Sequence, residues 1–328
     1  MLLIINILLT FFLFSCTENK TVVKNEVLFE TQNFDIEFEK NGFKHKDYVF
    51  YIDAYKNYIV AGSADNSISI WDYEKSILIT NIVFSFRGKW GIPVKYTQNG
   101  KYLVVGAYEE LIILNSENYK VISKKLAHLK GVQSIAVSSD NKYIFSGGAD
   151  GFVKVWSIPG LNLIKEQKIT KGEVWNTHIS SSGFLAISGS STKEVIIFSF
   201  PDLSIKKIIT NDYPVEFVNF SSDNNYFLFA DNFGYVIVHK IDNLDFPYVK
   251  FREHLSEVLV AKFIDQNFLI SGGRDGDIYI YDLKSKNVLK KYSVGSAVFY
   301  FEKSNKYKML IIGTQKGNVL FYKIISKE

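Results

Sequence analysis

The amino-acid sequence repeats itself at a nearly constant interval, and this feature constrains the fold more than any other. The clearest copy, VQSIAVSSDNKYIFSGGADGFVKVWS, spans residues 132–157, and near-copies occupy residues 48–72, 215–240 and 261–282. One position of the repeat recurs at intervals of 41 to 43 residues, as Trp71, Leu114, Trp156, Phe198, His239, Tyr281 and Tyr322. Such a period indicates an array of supersecondary units that stack to bury their apolar faces.

Each unit has the pattern of four short strands. In the clearest copy, an apolar segment over residues 132–137 is followed by a Ser-Ser-Asp-Asn turn, and a second strand begins at Tyr143. A glycine turn over residues 147–151 precedes an alternating third strand that ends at Trp156, and a more variable fourth strand starts at Leu163. An aromatic content of 16% also favours strands. Four antiparallel strands per repeat correspond to one propeller blade, so seven units predict an all-β, seven-bladed β-propeller.

The glycine turn and the strand after it resemble a known repeat family. The segment SGGADGFVKVWS resembles the WD40 consensus, in which a turn with Asp and Gly precedes a strand that ends in Trp-Asp. Trp71-Asp72 is such a pair, and Tyr281-Asp282 is a close variant. The resemblance covers residues 44–322 and is strongest in the first, third and sixth units. It implies a single propeller domain that binds protein partners.

The two ends of the repeat array are unequal. The last unit ends near Ile325, too early for a fourth strand of its own, whereas residues 26–40 contain a surplus strand before the first unit. WD40 rings combine strands from both termini in one blade. We therefore expect part of residues 26–40 to complete the seventh blade, within a single domain that spans residues 26–328.

The N-terminus has the features of an export signal. Residues 2–14 form an apolar run that is too short to span a bilayer as a helix but matches the central region of a signal peptide. The run ends in Leu-Phe-Ser-Cys16, which resembles a bacterial lipobox, and Cys16 is the only cysteine of the chain. The sequence predicts a signal peptide over residues 1–15 and a lipidated Cys16 with a polar tether over residues 16–25. The expected location is a bacterial membrane, and the periplasmic face and the cell surface are the two alternatives. An ordinary cleaved signal peptide is the alternative.

The WD40 resemblance also implies a hydrogen-bonded set of polar residues inside several blades. The family links a His before the first strand, a Ser or Thr on the second, the turn Asp and the third-strand Trp. The matching residues are His128, Ser146, Asp150 and Trp156 in the third unit, His254, Ser271, Asp275 and Tyr281 in the sixth, and His45, Asp65 and Trp71 in the first, where Ala61 lacks the hydroxyl. A Ser-His-Asp set could suggest a hydrolase. Because the set recurs in register with the repeat, a structural role is the better interpretation.

The remaining composition argues against most catalytic and nucleic-acid functions. The net charge is only +4, and the lysine pairs are spread over the predicted outer strands. A single cysteine excludes a Cys-rich zinc site, and the five histidines follow no metal-binding spacing. No HExxH, EF-hand or GxSxG motif occurs. We expect a monomer that is not an enzyme, with no cofactor, no metal and no nucleic-acid partner.

The leading functional prediction is a non-enzymatic protein-interaction scaffold, anchored in the bacterial envelope. An accessory factor for envelope or outer-membrane protein assembly is a second possibility. A propeller hydrolase or quinoprotein is a third, and it would need acidic or His residues that converge on the central channel; the sequence shows no such non-repeating cluster. Candidate partner-binding residues, which lie near the first strands or the turns after the second strands, are Trp90, Lys171, Trp175, Arg274 and Phe299. Packing between blades is the alternative role for Trp90 and Trp175.

Overall fold

The structure is a computed structural model that describes residues 25–27, 34–86, 91–304 and 306–326. All regular elements in these ranges are β-strands, and they form seven separate antiparallel sheets. The predicted all-β, seven-bladed β-propeller with four antiparallel strands per blade is confirmed. The signal peptide predicted over residues 1–15, Cys16 and the tether up to residue 24 lie outside the described residues.

Each blade contains three or four consecutive strands of the chain. Blade 1 contains Val49–Tyr55, Tyr58–Ser63, Ser67–Asp72 and Ile77–Val83, and blade 2 contains Val94–Tyr96, Tyr102–Ala107, Glu110–Asn115 and Val121–Leu126. Blade 3 contains Val132–Val137, Tyr143–Gly148, Phe152–Ser157 and Leu163–Lys168, and blade 4 contains Val174–Ile179, Leu185–Ser190, Glu194–Ser199 and Ile205–Thr210. Blade 5 contains Val215–Phe220, Tyr226–Asp231, Val236–Lys240 and Val249–Phe251. Blade 6 contains Val258–Phe263, Phe268–Gly273, Asp277–Asp282 and Asn287–Ser293, and blade 7 begins with Val298–Ser304, Met309–Thr314 and Asn318–Ser326.

The first strands lie at the centre of the ring, where each contacts the first strand of the next blade. The fourth strands lie at the rim, and that of blade 2 is exposed along almost its whole length. Adjacent blades approach closely because the second strand carries a glycine at the contact. A Cβ on Gly147 would lie only 2.6 Å from Val174 of blade 4, and one on Gly313 only 2.7 Å from Val49 of blade 1. The repeated glycine is therefore needed to pack the blades as well as to form turns.

A strand from the N-terminal part of the chain closes the ring. Phe34–Lys44 pairs antiparallel with Asn318–Ser326 and forms the outer strand of blade 7. Ile36 is buried in this pairing, and the ring of Phe38 packs edge-on against Tyr322 with a centroid distance of 5.5 Å. The predicted closing segment therefore supplies the missing strand, which extends four residues beyond position 40.

A second N-terminal strand was not predicted. Asn25–Val27 pairs with the outer strand of blade 6, with Glu26 opposite Lys291, so this blade has five strands. Blades 6 and 7 are also joined at the rim, where Asp35 forms an ion pair with Lys290 and accepts a hydrogen bond from Tyr292. In the part of the chain that the structure describes, no helix could cross a membrane.

Candidate functional site

The polar set of blade 3 forms a continuous chain of hydrogen bonds. The Nδ1 atom of His128 lies 2.9 Å from Asp150, and its Nε2 atom lies 2.8 Å from the hydroxyl of Ser146. The indole N–H of Trp156 donates to the same hydroxyl at 3.0 Å. Burial lowers the pKa of His128, while Asp150 opposes this shift. The set therefore satisfies three buried side chains inside one blade.

Blade 6 has the same arrangement with a tyrosine at the third-strand position. His254 lies 3.0 Å from Asp275 through Nδ1 and 2.7 Å from the Ser271 hydroxyl through Nε2. The hydroxyl of Tyr281 is 2.8 Å from that of Ser271, so it takes the place of the indole N–H. Tyr281 is fully buried, and this bond gives its polar end a partner.

Blade 1 obtains its hydroxyl from a different strand. Ala61 occupies the serine position, and the cross-strand residue opposite it, Ser69, lies 2.8 Å from Nε2 of His45. The Nδ1 atom of His45 is 3.1 Å from Asp65, as the family pattern implies. The indole nitrogen of Trp71 is buried and has no hydrogen-bond partner among the described residues. Sequence comparison along one strand missed Ser69, because the compensating residue is a neighbour only across the sheet.

The geometry of these sets does not suit nucleophilic catalysis. The Ser146 and Ser271 side chains are fully buried within their blades. Each hydroxyl already interacts with both its histidine and a third-strand aromatic residue. A substrate carbonyl would have to reach an oxygen that no solvent contacts.

The most distinctive surface lies at one mouth of the central channel. In six blades the pairing of the first and second strands shifts by one residue after the first position, which is the geometry of a β-bulge. The extra residues at these bulges are Phe50, Gln133, Trp175, Glu216, Leu259 and Phe299. Blade 2 shows no such shift, and Gly91, which precedes its first strand, also lines the mouth. The six equivalent bulge positions thus carry five different residue types.

These residues line a cavity of about 330 Å³, which we call the channel-mouth cavity. One wall is aromatic: the rings of Phe50 and Phe299 have centroids 4.6 Å apart, and Tyr48 stacks on Phe299 at 5.3 Å. In another part of the lining, the indole N–H of Trp175 donates to Glu173 at 2.9 Å. The cavity is therefore bounded by aromatic faces on more than one side.

The charged residues of the channel-mouth cavity are mainly acidic. Glu173 and Glu216 line it together with Arg274, but Arg274 forms an ion pair with Glu257 and lies 5.8 Å from the ring of Phe299. Burial, followed by repulsion from Glu257, raises the pKa of Glu216 to about 7, against the opposing effect of Arg274. No hydrogen-bond partner for the Glu216 carboxylate is found among the described residues.

Three of the five predicted partner-binding residues meet at this cavity, namely Trp175, Arg274 and Phe299. Phe299 is only 8% exposed and acts mainly as packing for the aromatic wall. Lys171 is exposed in the loop before blade 4 but does not line the cavity, and Trp90 lies outside the described residues. Sequence reasoning missed Glu216 and Phe50, although both follow the first valine of their unit, as Gln133 does. The role of all these residues in partner binding stays a prediction.

The channel also contains a charged cluster that the sequence analysis did not find. Four middle residues of first strands meet there: Lys262 lies 2.7 Å from Glu302, which is also 3.3 Å from Lys95, and Lys95 pairs with Asp53. Two acidic residues, Asp53 and Glu302, do converge on the channel, but each is paired with lysine. These residues are far apart in the sequence and meet only because the ring closes.

The charges of this cluster balance one another. The two lysines hold the pKa of Glu302 at about 2 despite its burial, and burial near those lysines lowers the pKa of the adjacent His178 to about 3. Both acids form ion pairs with lysine, but burial raises the pKa of Asp53 against the effect of Lys95, and His178 is neutral. The cluster borders a second cavity of about 360 Å³ toward the opposite mouth. In the described ranges, no group of three or more acidic, His or Cys side chains is arranged to hold a metal ion.

The fold defines the class of architecture, a seven-bladed β-propeller, and its polar sets resemble those of WD40 repeats. Residues 40–72, 120–157 and 247–282 match the family described as WD domain, G-beta repeat. These segments end with the third strands of blades 1, 3 and 6, the units in which the sequence resemblance is strongest.

Comparison with curated proteins gives distant sequence similarities. The chain is 24% identical over 241 residues to the zebrafish p21-activated protein kinase-interacting protein 1-like, covering 70% of this chain and 62% of that protein. It is 26% identical over 267 residues to a Dictyostelium discoideum WD repeat domain-containing protein 83 homolog, covering 72% of this chain and 81% of that protein. It is 31% identical over 144 residues to Protein SPA1-RELATED 3 of Arabidopsis thaliana, of which it covers only 17%.

Proposed function

We propose that this protein is a non-enzymatic scaffold that binds a protein partner through the face around the channel-mouth cavity. The observation that carries the proposal is the contrast between the residues that define each blade and the residues that line the channel-mouth cavity. The polar set recurs in blades 1, 3 and 6 and the second-strand glycine in six blades, whereas the six bulge positions at the mouth carry five different residue types. Residues that the repeat does not require are free to be selected for binding. Aromatic and arginine side chains, which this lining contains, dominate the energetics of protein interfaces.

The proposal is tested by partner capture with chemical crosslinking in cells, using Trp175→Ala. Trp175 is half-buried and lines the cavity. Its truncation therefore removes a side chain proposed for binding but leaves the strands and polar sets of the blades in place. We expect loss of the crosslinked partner with an unchanged melting temperature. Ile164→Ala at the rim, where the side chain is 50% exposed, is the matched control and should retain the partner. Loss of stability in Trp175→Ala, with the partner retained by the folded fraction, would assign Trp175 to the core.

We further propose that the scaffold is held at a bacterial membrane by lipid on Cys16. The support is the sequence alone: the short apolar run of residues 2–14, and the only cysteine of the chain at its end. At least two acyl chains are needed for firm anchoring. Cys16→Ala should abolish labelling by a clickable fatty acid and leave unprocessed precursor, and unchanged labelling would contradict the proposal. Protease treatment of intact cells distinguishes the cell surface from the periplasmic face.

A further inference from the structure

We propose that the channel-mouth cavity receives a basic side chain, arginine or lysine, that the protein partner inserts into it. This inference rests on the proposed function and adds the chemistry of the contact. It is carried by the combination of carboxylates and aromatic side chains in one cavity, rather than by either feature alone.

The acidic side chains of the cavity would attract a cation. Glu216 has no hydrogen-bond partner among the described residues, and Glu173 accepts hydrogen bonds from Trp175 and, at 3.4 Å, from Gln133. The guanidinium of Arg274 is directed to Glu257 instead. A partly buried carboxylate without a partner is unfavourable, and an incoming ammonium or guanidinium would supply the missing charge and hydrogen bonds.

The aromatic residues are suited to the same ligand. A cation is attracted to the face of an aromatic ring, and the effect is larger when water is excluded. Phe50 and Trp175 line the cavity from two different blades, and Tyr51, Phe217 and Tyr300 extend the aromatic lining into the channel. The Tyr51 and Tyr300 rings have centroids 5.7 Å apart. The alkyl part of an arginine or lysine side chain would pack against these rings, with its charged end near Glu216.

The chain itself shows this type of contact in the same channel. The ammonium of Lys262 lies 4.2 Å from the centre of the Tyr300 ring while it pairs with Glu302. That site holds its own lysine between an aromatic face and a carboxylate. The channel-mouth cavity has the aromatic face and the carboxylate, and its volume of about 330 Å³ leaves room for one side chain from outside.

The proposal implies a particular pH dependence. The groups that act on Glu216 are Glu257 and Arg274 of blade 6 and Asp231 of blade 5, and Glu173 of blade 4 and Tyr51 of blade 1 share the cavity with it. Only the ionised carboxylate attracts a cation, and the pKa of Glu216 is about 7. Because the apparent affinity is proportional to the competent fraction, it should rise about tenfold between pH 6 and pH 8.

The experiment uses the propeller and three short peptides, Ac-Gly-Arg-Gly-NH2, its lysine counterpart and its citrulline counterpart, in which the arginine charge is removed at nearly constant shape. Binding is followed by NMR at the indole N–H of Trp175, assigned with Trp175→Phe. We expect the arginine or lysine peptide to shift this signal and to bind at least tenfold more tightly than the citrulline peptide. Whichever of the arginine and lysine peptides binds more tightly identifies the side chain that the cavity receives.

Two variants decide the role of Glu216. Glu216→Gln should weaken cation binding at least fivefold at pH 8 and remove its pH dependence, whereas Glu117→Gln, on an exposed loop, should change neither. Equal affinity for the charged and citrulline peptides, no shift up to 20 mM peptide, or an unchanged affinity in Glu216→Gln would overturn the inference. The proposed function would survive that result if Trp175→Ala still lost the partner in cells, so the two failures are distinguishable.

Discussion

At the residue scale, a single hydroxyl decides whether the polar groups of a blade are satisfied. The Ser146 hydroxyl bonds to both His128 and Trp156, whereas the Ser69 hydroxyl of blade 1 bonds to His45 alone. The Trp71 indole then has no hydrogen-bond partner within the described ranges. Blades 1 and 3 share the motif in the sequence, but only blade 3 forms all of its hydrogen bonds.

This difference predicts unequal costs of removing the hydroxyl. Ser146→Ala should destabilise the propeller by about 1–3 kcal/mol, because it leaves both an imidazole nitrogen and an indole N–H buried without a partner. Ser69→Ala removes one interaction and should cost less. Urea unfolding of the two variants gives the comparison. A larger loss in Ser69→Ala would show that the third-strand tryptophan does not depend on the hydroxyl.

Glu216 predicts a pH-dependent stability. Its pKa is raised from 4.5 to about 7 on folding, so the ionised form is disfavoured in the native state. Native stability therefore falls as pH rises from 4.5 to about 7 and stays lower above that range. Glu216→Gln should be nearly neutral at pH 4 and stabilising by up to about 3 kcal/mol at pH 8. Unfolding curves at both pH values test this, and equal differences at the two would contradict it.

The sequence predicts those residues that repeat and misses those that do not. His128, Ser146 and Asp150 could be assigned because the same residue types recur at the same place in other units. Ser69 could not, because its importance depends on a cross-strand neighbour. Asp53 and Glu302 are 249 positions apart in the chain, and only ring closure brings them to the same lysine.

At the scale of elements, the outer edges of blades 6 and 7 are both covered by the N-terminal part of the chain. The shortage of strands at the C-terminus predicted the closing strand Phe34–Lys44. The sequence assigned Asn25 to the tether and Glu26 and Val27 to the strand-bearing segment 26–40, but it did not predict their pairing with blade 6, which depends on the unpaired backbone of an edge strand. The bulges of the first strands also escaped prediction, since a one-residue shift in register leaves the repeat spacing unchanged.

Deletion of residues 26–40 should lower the melting temperature sharply. It removes most of the closing strand, including the buried Ile36, and leaves Asn318–Ser326 as an open edge. Deletion of residues 17–24, which leaves every described strand intact, is the matched control. Equal melting temperatures for the full chain and the 26–40 deletion would mean that the strand does not close the ring.

At the scale of the whole molecule, the ring presents two different mouths. One has an acidic and aromatic cavity whose lining varies from blade to blade, and the other borders a channel whose charges are already paired. The rim is formed by fourth strands in which lysines discourage edge-to-edge association. This asymmetry is the reason to assign partner binding to one face.

The most direct test of this assignment is photo-crosslinking in cells from single sites around the molecule. A photoreactive phenylalanine analogue is placed at Lys171 and at Leu255, which is 89% exposed, on the loops of the channel-mouth face. The comparison sites are Ser222 at the opposite mouth and Lys165 at the rim, both exposed. We predict a common crosslinked partner from Lys171 and Leu255 and none from the other two. The same partner captured from Ser222 or Lys165, but not from the channel-mouth face, would contradict the account.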